Sequence, residues 1–171
     1  MNITEHIDRE QIHVNLPQMP IEDVLDRMLT SCRSRFRVPD VQWPGVLREV
    51  SDDYIQMERG SSGAFDTGGA LLNPFSKRVA TLEQWTFSVA VFPAGTRWNF
   101  CDEPHIDRAQ GAPIRLVVLI LPTNPTEFLK VLHYLSRLFK LDTVRRLSCS
   151  ENPKEILRMI SSALSSAREG I

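Results

Sequence analysis

The sequence predicts an α/β domain in which helices pack in layers against a β-sheet. Amphipathic segments of helical period alternate along the chain with short runs of aromatic and β-branched residues, and turn residues separate them. The 171 residues suit one domain, so we expect residues 1–171 to form a single unit. Apolar residues make up 42% and charged residues 24% of the chain, which is a globular composition and excludes a disordered one.

Two helices are expected in the first third of the chain. Residues 20–32 carry apolar side chains that recur at the helical period. Pro20 suits the first position of this helix, and Glu22 and Asp23 favour the positive end of the helix dipole. The second helix is predicted to begin at Pro44.

Three strands are predicted after a glycine-rich loop at residues 60–69. The first is short and covers Ala70 to Leu72. The second covers Trp85 to Phe92, where aromatic and β-branched side chains alternate, and Pro93-Ala94-Gly95 is expected to end it. The third covers 114–121, an uninterrupted apolar run typical of a strand whose C-terminal end is buried on both faces.

Two helices are predicted to follow, and both open in the same way. Residues 124–127 and 152–155 each offer an Asn cap, a Pro at the first position and a Glu at the third, as in a capping box. We expect the first of these helices to cover 125–140 and the second to begin at Pro153.

Charge and cysteine content limit the possible partners and location. The formal net charge is −1, so there is no basic excess for binding nucleic acid. The three cysteines are widely spaced without a C-x-x-C pair, which favours a reducing compartment, and we expect a cytoplasmic protein. No basic segment precedes an apolar one at the N-terminus, so no signal peptide is expected. The longest apolar run, Leu116 to Leu121, is too short to span a membrane, so no membrane insertion is expected.

Residue patterns alone indicate neither a catalytic site nor a cofactor. Gly63 and Gly68 have the spacing of a phosphate-binding loop, but the Lys-Ser/Thr that grips phosphate and magnesium is missing. Residues 101–107 collect a thiol, an imidazole and carboxylates without a recognised metal-ligand spacing, so no metal is expected. Neither a G-x-S-x-G nor an H-E-x-x-H motif occurs.

Two basic clusters can be interpreted either as solvated surface or as a binding surface for an anionic partner. The first shares one face of the predicted helix 125–140 and consists of Lys130, His133, Arg137 and Lys140. The second alternates around Phe36 and consists of Arg33, Arg35 and Arg37. For the first cluster we favour a solvated face, and for the second an exposed edge protected from aggregation.

The order of several segments resembles a known family. Val46-Leu47-Arg48-Glu49, the Ser/Gly loop and Gly69-Ala70-Leu71-Leu72-Asn73-Pro74 resemble the stretch that leads into the active site of enzyme IIA domains. These belong to the phosphoenolpyruvate-dependent sugar phosphotransferase system, and the resemblance is to the fructose, mannitol and nitrogen-regulatory (PtsN-like) type. Residues 92–95, 113–121 and 152–156 follow in the family's order, so the resemblance covers roughly residues 2–164.

The resemblance implies a central mixed β-sheet flanked by helices on both faces. It also implies an ancestral reaction: in active members a histidine directly after the Pro accepts a phosphoryl group from a small phosphocarrier protein, because its neutral ring nitrogen is nucleophilic. Here Phe75 follows Pro74. The loop is a residue or two longer than the family pattern, which leaves the register of residues 60–75 open. No register restores the nucleophile, because no histidine occurs between His13 and His105.

The resulting hypothesis is a regulatory protein-binding module that has lost its phosphoryl-accepting histidine. The family's buried strand carries a second His or an acid near its start, and the matching residue here is Arg115. Arginine stays cationic and can hold an anion, but it cannot relay a proton. The candidate partner or anion surface consists of Asn73, Ser76, Lys77, Arg78 and Arg115. For Lys77 and Arg78, an ordinary solvated turn is an equal alternative. The expected partner is a protein such as a phosphocarrier or a regulated transporter or kinase.

Two other functions stay open at this stage. One is an active phosphotransferase that uses another residue, with His105 or Ser76 as the candidate acceptor. The other is an anion-binding cytoplasmic domain related to transporters. Neither the particular partner nor the oligomeric state follows from the sequence.

Overall fold

A computed structural model of the chain describes residues 5–60, 64–72, 82–98 and 113–165. Its described strands are β1 (Ile12–His13), β2 (Gly69–Leu72), β3 (Thr86–Thr96) and β4 (Ile114–Leu121). They form one sheet in the order β1-β3-β4-β2. The central pair β3 and β4 is antiparallel, whereas β1 is parallel to β3 and β2 is parallel to β4. The sheet is therefore mixed, as the resemblance implied.

Helices cover both faces of this sheet, which confirms the expected α/β sandwich. The helices are α1 (Ile21–Ser31), α2 (Trp43–Gly60), α3 (Pro125–Leu135), α4 (Leu141–Ser148) and α5 (Pro153–Ser165). Short 3₁₀ turns cover 9–11, 33–35 and 136–139. None of the helices in the described ranges is long and apolar enough to cross a membrane.

Alternation along the central strands creates two hydrophobic cores. Phe87, Val89 and Val91 of β3 pack on the side of α3, α4 and α5. Ala90 and Phe92 face the other way, toward α1 and α2. Side chains of a strand point alternately to its two faces, so one strand supplies both cores. Each fully buried large apolar side chain contributes about 1.5–3 kcal/mol, which makes burial on both faces the main source of stability.

Two buried polar side chains connect the helical layers to the sheet. The Gln11 amide nitrogen donates to the Thr86 hydroxyl at 2.9 Å and to the Phe87 carbonyl at 2.9 Å, which fixes the 3₁₀ turn before β1 against β3. The Tyr54 hydroxyl of α2 donates to the Ile120 carbonyl of β4. Both polar groups are satisfied inside the fold, as buried groups must be.

Two predicted elements end differently in the structure. The expected helix over 125–140 ends at Leu135, continues as a 3₁₀ turn and is followed by α4, which was not predicted. Lys140 adopts extended backbone angles (φ −65°, ψ 137°) and separates the two helices. The second predicted strand does not end at Pro93 but continues to Thr96, across an irregularity between Val91 and Thr96. Proline is tolerated there because an irregular pairing does not need its missing N–H.

Candidate functional site

A tight turn places the start of β2 against the start of β4. The Phe65 N–H donates to the Gly69 carbonyl at 2.8 Å, and the Gly68 N–H donates to the Phe65 carbonyl at 3.0 Å. The Gly68 carbonyl accepts from the Arg115 N–H at 2.7 Å and from the Leu116 N–H at 3.2 Å. The turn thereby fixes the backbone of Arg115, the described member of the candidate site.

Glycine is required at both positions that end this turn. Gly68 has a φ of +82°, which a side chain disfavours, and a Cβ there would lie 3.0 Å from the Pro113 carbonyl oxygen. A Cβ on Gly69 would collide with the Phe139 ring, which fills the space above the glycine. The Phe65 ring stacks on the same Phe139 ring with centroids 4.7 Å apart. The turn is therefore packed against the helical layer of α3, α4 and α5.

The Arg115 side chain is exposed and keeps most of its hydrogen-bonding capacity. Its Nη1 donates to the Pro93 carbonyl at 2.8 Å, in the irregular part of β3. It forms no ion pair with any residue of the described ranges. A guanidinium has five N–H donors, so a single bond to a carbonyl leaves donors for a carboxylate or phosphate. Arg115 is thus oriented by the fold while its positive charge stays available to an anion.

The other candidate site residues come after the C-terminal end of β2 in the sequence. Leu72, the last residue of β2, pairs with Leu119, four positions beyond Arg115 on β4. Four residues of a strand span about 13 Å. The chain therefore leaves β2 about that far from Arg115. Asn73, Phe75, Ser76, Lys77 and Arg78 lie outside the described residues. Their convergence with Arg115 stays a prediction.

One further feature of this turn bears on the site. Thr67 is half-buried, and its side-chain oxygen is buried without a hydrogen-bond partner in the described part of the chain; the sequence patterns did not indicate it. Its only sequence signal is a hydroxyl beside two glycines in a turn. His105 and the whole segment 101–107 lie outside the described residues. Within the described ranges, no group of three His, Cys, Asp or Glu side chains is placed to hold a metal ion.

Two histidines of the described chain have structural contacts. The His6 ring stacks on Trp85 at a centroid distance of 3.8 Å, and its Nδ1 lies 2.9 Å from the Trp85 carbonyl oxygen. His13 Nε2 lies 3.1 Å from the Ser31 hydroxyl oxygen, and that hydroxyl donates to the Met28 carbonyl at 2.7 Å. The single hydroxyl proton is thus used, so His13 Nε2 is the donor. Burial, with a smaller effect of Arg27, lowers the pKa of His13 to about 4.

Cys32 and the neighbouring arginines are likewise engaged within the fold. Burial raises the pKa of the Cys32 thiol to about 11, so it stays protonated and unreactive near neutral pH. The arginine cluster around Phe36 forms three ion pairs: Arg33 with Asp40, Arg35 with Asp8 and Arg37 with Glu83. Phe36 itself is buried and bridges to Leu82. The predicted exposed edge is therefore a junction that connects the N-terminal segment, α2 and the approach to β3.

This arrangement of sheet and helices is the fold of enzyme IIA domains of the phosphotransferase system. The nitrogen regulatory protein IIA-Ntr from Neisseria meningitidis superposes with a TM-score of 0.67 at 19% identity, covering 92% of this chain and 98% of that one. The mannitol-specific cryptic enzyme IIA CmtB from Escherichia coli gives a TM-score of 0.66 at 15% identity, covering 95% and 99%. The fold implied by the resemblance is thus confirmed.

A third similar structure was determined with a protein partner. The mannitol enzyme IIA from Escherichia coli, in its complex with phosphorylated enzyme IIB, superposes with a TM-score of 0.66 at 15% identity, covering 91% of this chain and 97% of that one. No family model matches the chain, and no curated protein matches it in sequence. Likeness at these identities establishes the fold, and the function has to be argued from the site.

Proposed function

We propose that this protein is a regulatory protein-binding module of enzyme IIA fold that has lost phosphoryl transfer. The observation that carries the proposal is Phe75 after Pro74, where active members of the family have the phosphorylated histidine. A phenyl ring has no lone pair with which to attack phosphorus, whereas a neutral imidazole has one. The resemblance to the nitrogen-regulatory type supports a regulatory role, and the cysteine pattern supports a cytoplasmic one.

The engagement of other histidines supports the loss of transfer. His6 stacks on Trp85 and His13 donates to Ser31, so both serve as structural groups. A nucleophile has to be positioned to within a fraction of an ångström of its target, and rings held by such contacts are not free to move into that position. An active phosphotransferase would therefore depend on His105, on the exposed His133 or on Ser76.

A partner surface built on Arg115 is the second part of the proposal. Arg115 is exposed, is bonded to a carbonyl and keeps donors for a carboxylate or phosphate. We infer that Asn73, Ser76, Lys77 and Arg78 extend this surface toward a protein partner. The mannitol enzyme IIA binds a phosphorylated enzyme IIB, which makes a phosphoprotein of this system the first partner to test.

Phosphoryl transfer can be tested with the intact protein. We would incubate it with phosphoenolpyruvate, the general phosphotransferase enzyme and the small phosphocarrier, and record the intact mass beside an enzyme IIA that is labelled. We expect no phosphoryl adduct on the wild type. Replacement of Phe75 by His (Phe75→His) should restore an acid-labile adduct, because the fold is retained and the imidazole supplies the missing nucleophile.

Other outcomes of the same assay would contradict the proposal. An acid-labile adduct on the wild type that disappears in His105→Gln or His133→Gln would show an active phosphotransferase. An acid-stable adduct lost in Ser76→Ala would place the acceptor on Ser76. Binding of free phosphate by the wild type, lost in Arg115→Gln but without protein binding, would favour the anion-binding alternative related to transporters.

A further inference from the structure

The two helical layers of the fold carry opposite charge. Residues 125–165, which supply α3, α4 and α5, contain seven Lys or Arg and four Asp or Glu, a net charge of +3. Residues 21–60, which supply α1 and α2, contain six Arg and eight Asp or Glu, a net charge of −2. The whole chain has a net charge of only −1, so its composition conceals the separation. The β-sheet lies between the two layers and keeps their charges apart.

The cations of the second layer are solvent-exposed. We call this set the basic layer; its members are Lys130, Lys140, Arg145, Arg146, Lys154 and Arg158. Among the described residues, no side chain forms an ion pair with any of them. By contrast, Arg33, Arg35 and Arg37 near α1 each form an ion pair with an acidic side chain of the same chain. This excess of positive charge would favour the binding of an anionic partner.

Exposed leucines occur on the same helices as these cations. Leu129 is 65% exposed on α3, directly before Lys130, and Leu141 is 44% exposed at the start of α4, directly after Lys140. Arg145 follows Leu141 by one helical turn, so the two share one face of α4. Apolar side chains surrounded by charged ones are typical of a protein interface, where the apolar centre loses water and the polar rim sets specificity. Phosphate backbones alone would need the cations but not the leucines.

We propose that the basic layer is a docking surface for an acidic protein segment that presents apolar side chains, such as an acidic amphipathic helix. Its carboxylates would pair with Arg145, Arg146 and their neighbours, and its apolar side chains would cover Leu129 and Leu141. This surface is formed by α3, α4 and α5 rather than by Arg115 and the segment after β2. The inference therefore holds whether or not phosphoryl transfer is lost.

The test uses the full chain and a fluorescent peptide of Glu, Leu and Ala designed as an amphipathic helix. Fluorescence anisotropy should show salt-sensitive binding that weakens between about 50 mM and about 300 mM KCl, because surface charges are screened. The double variant Arg145→Gln/Arg146→Gln should bind about tenfold more weakly, since charge pairs at an interface contribute that much. The matched control Arg27→Gln/Arg59→Gln removes two exposed arginines from α1 and α2 and should bind as the wild type does.

The leucines provide an independent variant that leaves the charge unchanged. Leu129→Ser/Leu141→Ser should also weaken binding several-fold, because the peptide's apolar face would lose its contact. Circular dichroism on every variant establishes that the fold is intact.

Several results would overturn the proposal. These are no binding of the peptide at low salt, an equal loss in the control variant, or an equally tight interaction with a peptide of Glu and Ala without Leu. Preferred binding to duplex DNA or to vesicles containing phosphatidylglycerol would show a different class of partner. Salt-sensitive self-association in sedimentation velocity, lost in Arg145→Gln/Arg146→Gln, would show that the acidic layer of a second copy occupies the surface.

Discussion

At the scale of single residues, the contact between Gly69 and Phe139 joins the candidate site to the hydrophobic core. A Cβ at Gly69 would meet a buried aromatic ring rather than the flexible end of a side chain. The Phe139 ring cannot move away without disturbing Phe65, which stacks on it. Residue choice in the turn before β2 is therefore set by packing as much as by backbone angles.

Gly69→Ala should accordingly lower the free energy of unfolding by about 1–3 kcal/mol, the usual effect of an extra methyl group in a packed core. Urea denaturation followed by circular dichroism measures this change. Gly45→Ala is the matched control, because a Cβ at Gly45 of α2 meets nothing within 4 Å. It should be neutral or slightly stabilising. Equal destabilisation by the two substitutions would contradict the packing explanation.

A second residue-scale prediction concerns His13 and pH. Its folded pKa of about 4 lies below the ordinary value of 6.5, so the unfolded chain binds a proton in a range where the folded chain does not. Stability is therefore fully present above pH 6.5 and falls as the pH drops from about 6.5 toward about 4. Because the ring is only partly buried, we expect a loss of about 1–2 kcal/mol between pH 7.5 and pH 5.

The measurement is urea denaturation of the wild type and of His13→Gln across that pH range. A glutamine amide can still donate to Ser31 but does not titrate, so the variant should lose less stability on acidification. Identical slopes in the two proteins would show that His13 is not the responsible group.

At the scale of elements, the start of α5 follows the sequence pattern, with one difference. The Asn152 side-chain oxygen accepts the Lys154 N–H at 3.0 Å, which is the predicted cap. Glu155 does not close the box on Asn152; its carboxylate instead accepts the Ser150 hydroxyl at 2.9 Å. The cap satisfies one of the backbone donors that every helix leaves open at its first turn.

Asn152→Ala should therefore destabilise the protein by about 1 kcal/mol, whereas Asn152→Ser and Asn152→Asp should stay within a few tenths of the wild type. Thermal or urea denaturation of the three variants checks this. If the alanine and serine variants were equally stable, the side-chain cap would have no measurable role.

Helices and strands with a clear apolar pattern were predictable from the sequence. Features that depend on contacts between residues far apart in the sequence were not. The apolar pattern of residues 20–32 predicts a helix, and the structure has α1 there. The uninterrupted apolar run 114–121 predicts a strand, and the structure has β4 there. The break at Lys140 has no glycine or proline to mark it, and it depends on how Leu138 and Phe139 pack beside β2. The continuation of β3 past Pro93 depends on pairing with β4, which is not visible in a local pattern.

Of the five residues predicted for the candidate site, Arg115 lies in the described ranges, and its geometry was not predictable from the sequence. Arg115 was named from its position in a resembling strand, and its exposure agrees with a role in binding an anion. Its bond to Pro93 depends on the irregular pairing of β3 with β4. Thr67 was missed because an unpartnered hydroxyl is a property of the folded turn and not of its sequence.

At the scale of the whole molecule, the sheet serves two cores and separates two layers of unlike charge. Tyr54 of α2 bonds to the backbone of β4, and Gln11 of the 3₁₀ turn before β1 bonds to β3, so these two segments are hydrogen-bonded to the sheet and not only packed on it. Because both faces of β3 and β4 are buried, residues exposed on one layer have no direct contact with the other. The binding proposed for α3, α4 and α5 is thus structurally independent of the surface of α1 and α2.

The separation of charge affects how the protein approaches a binding partner. A net +3 over residues 125–165 on one side of the sheet and −2 over residues 21–60 on the other give these two layers an electric dipole with its axis across the sheet. In the field of an acidic partner such a dipole experiences a torque that turns α3, α4 and α5 toward the partner during the approach. Encounters would then be oriented ahead of contact, and added salt would slow association more than it speeds dissociation.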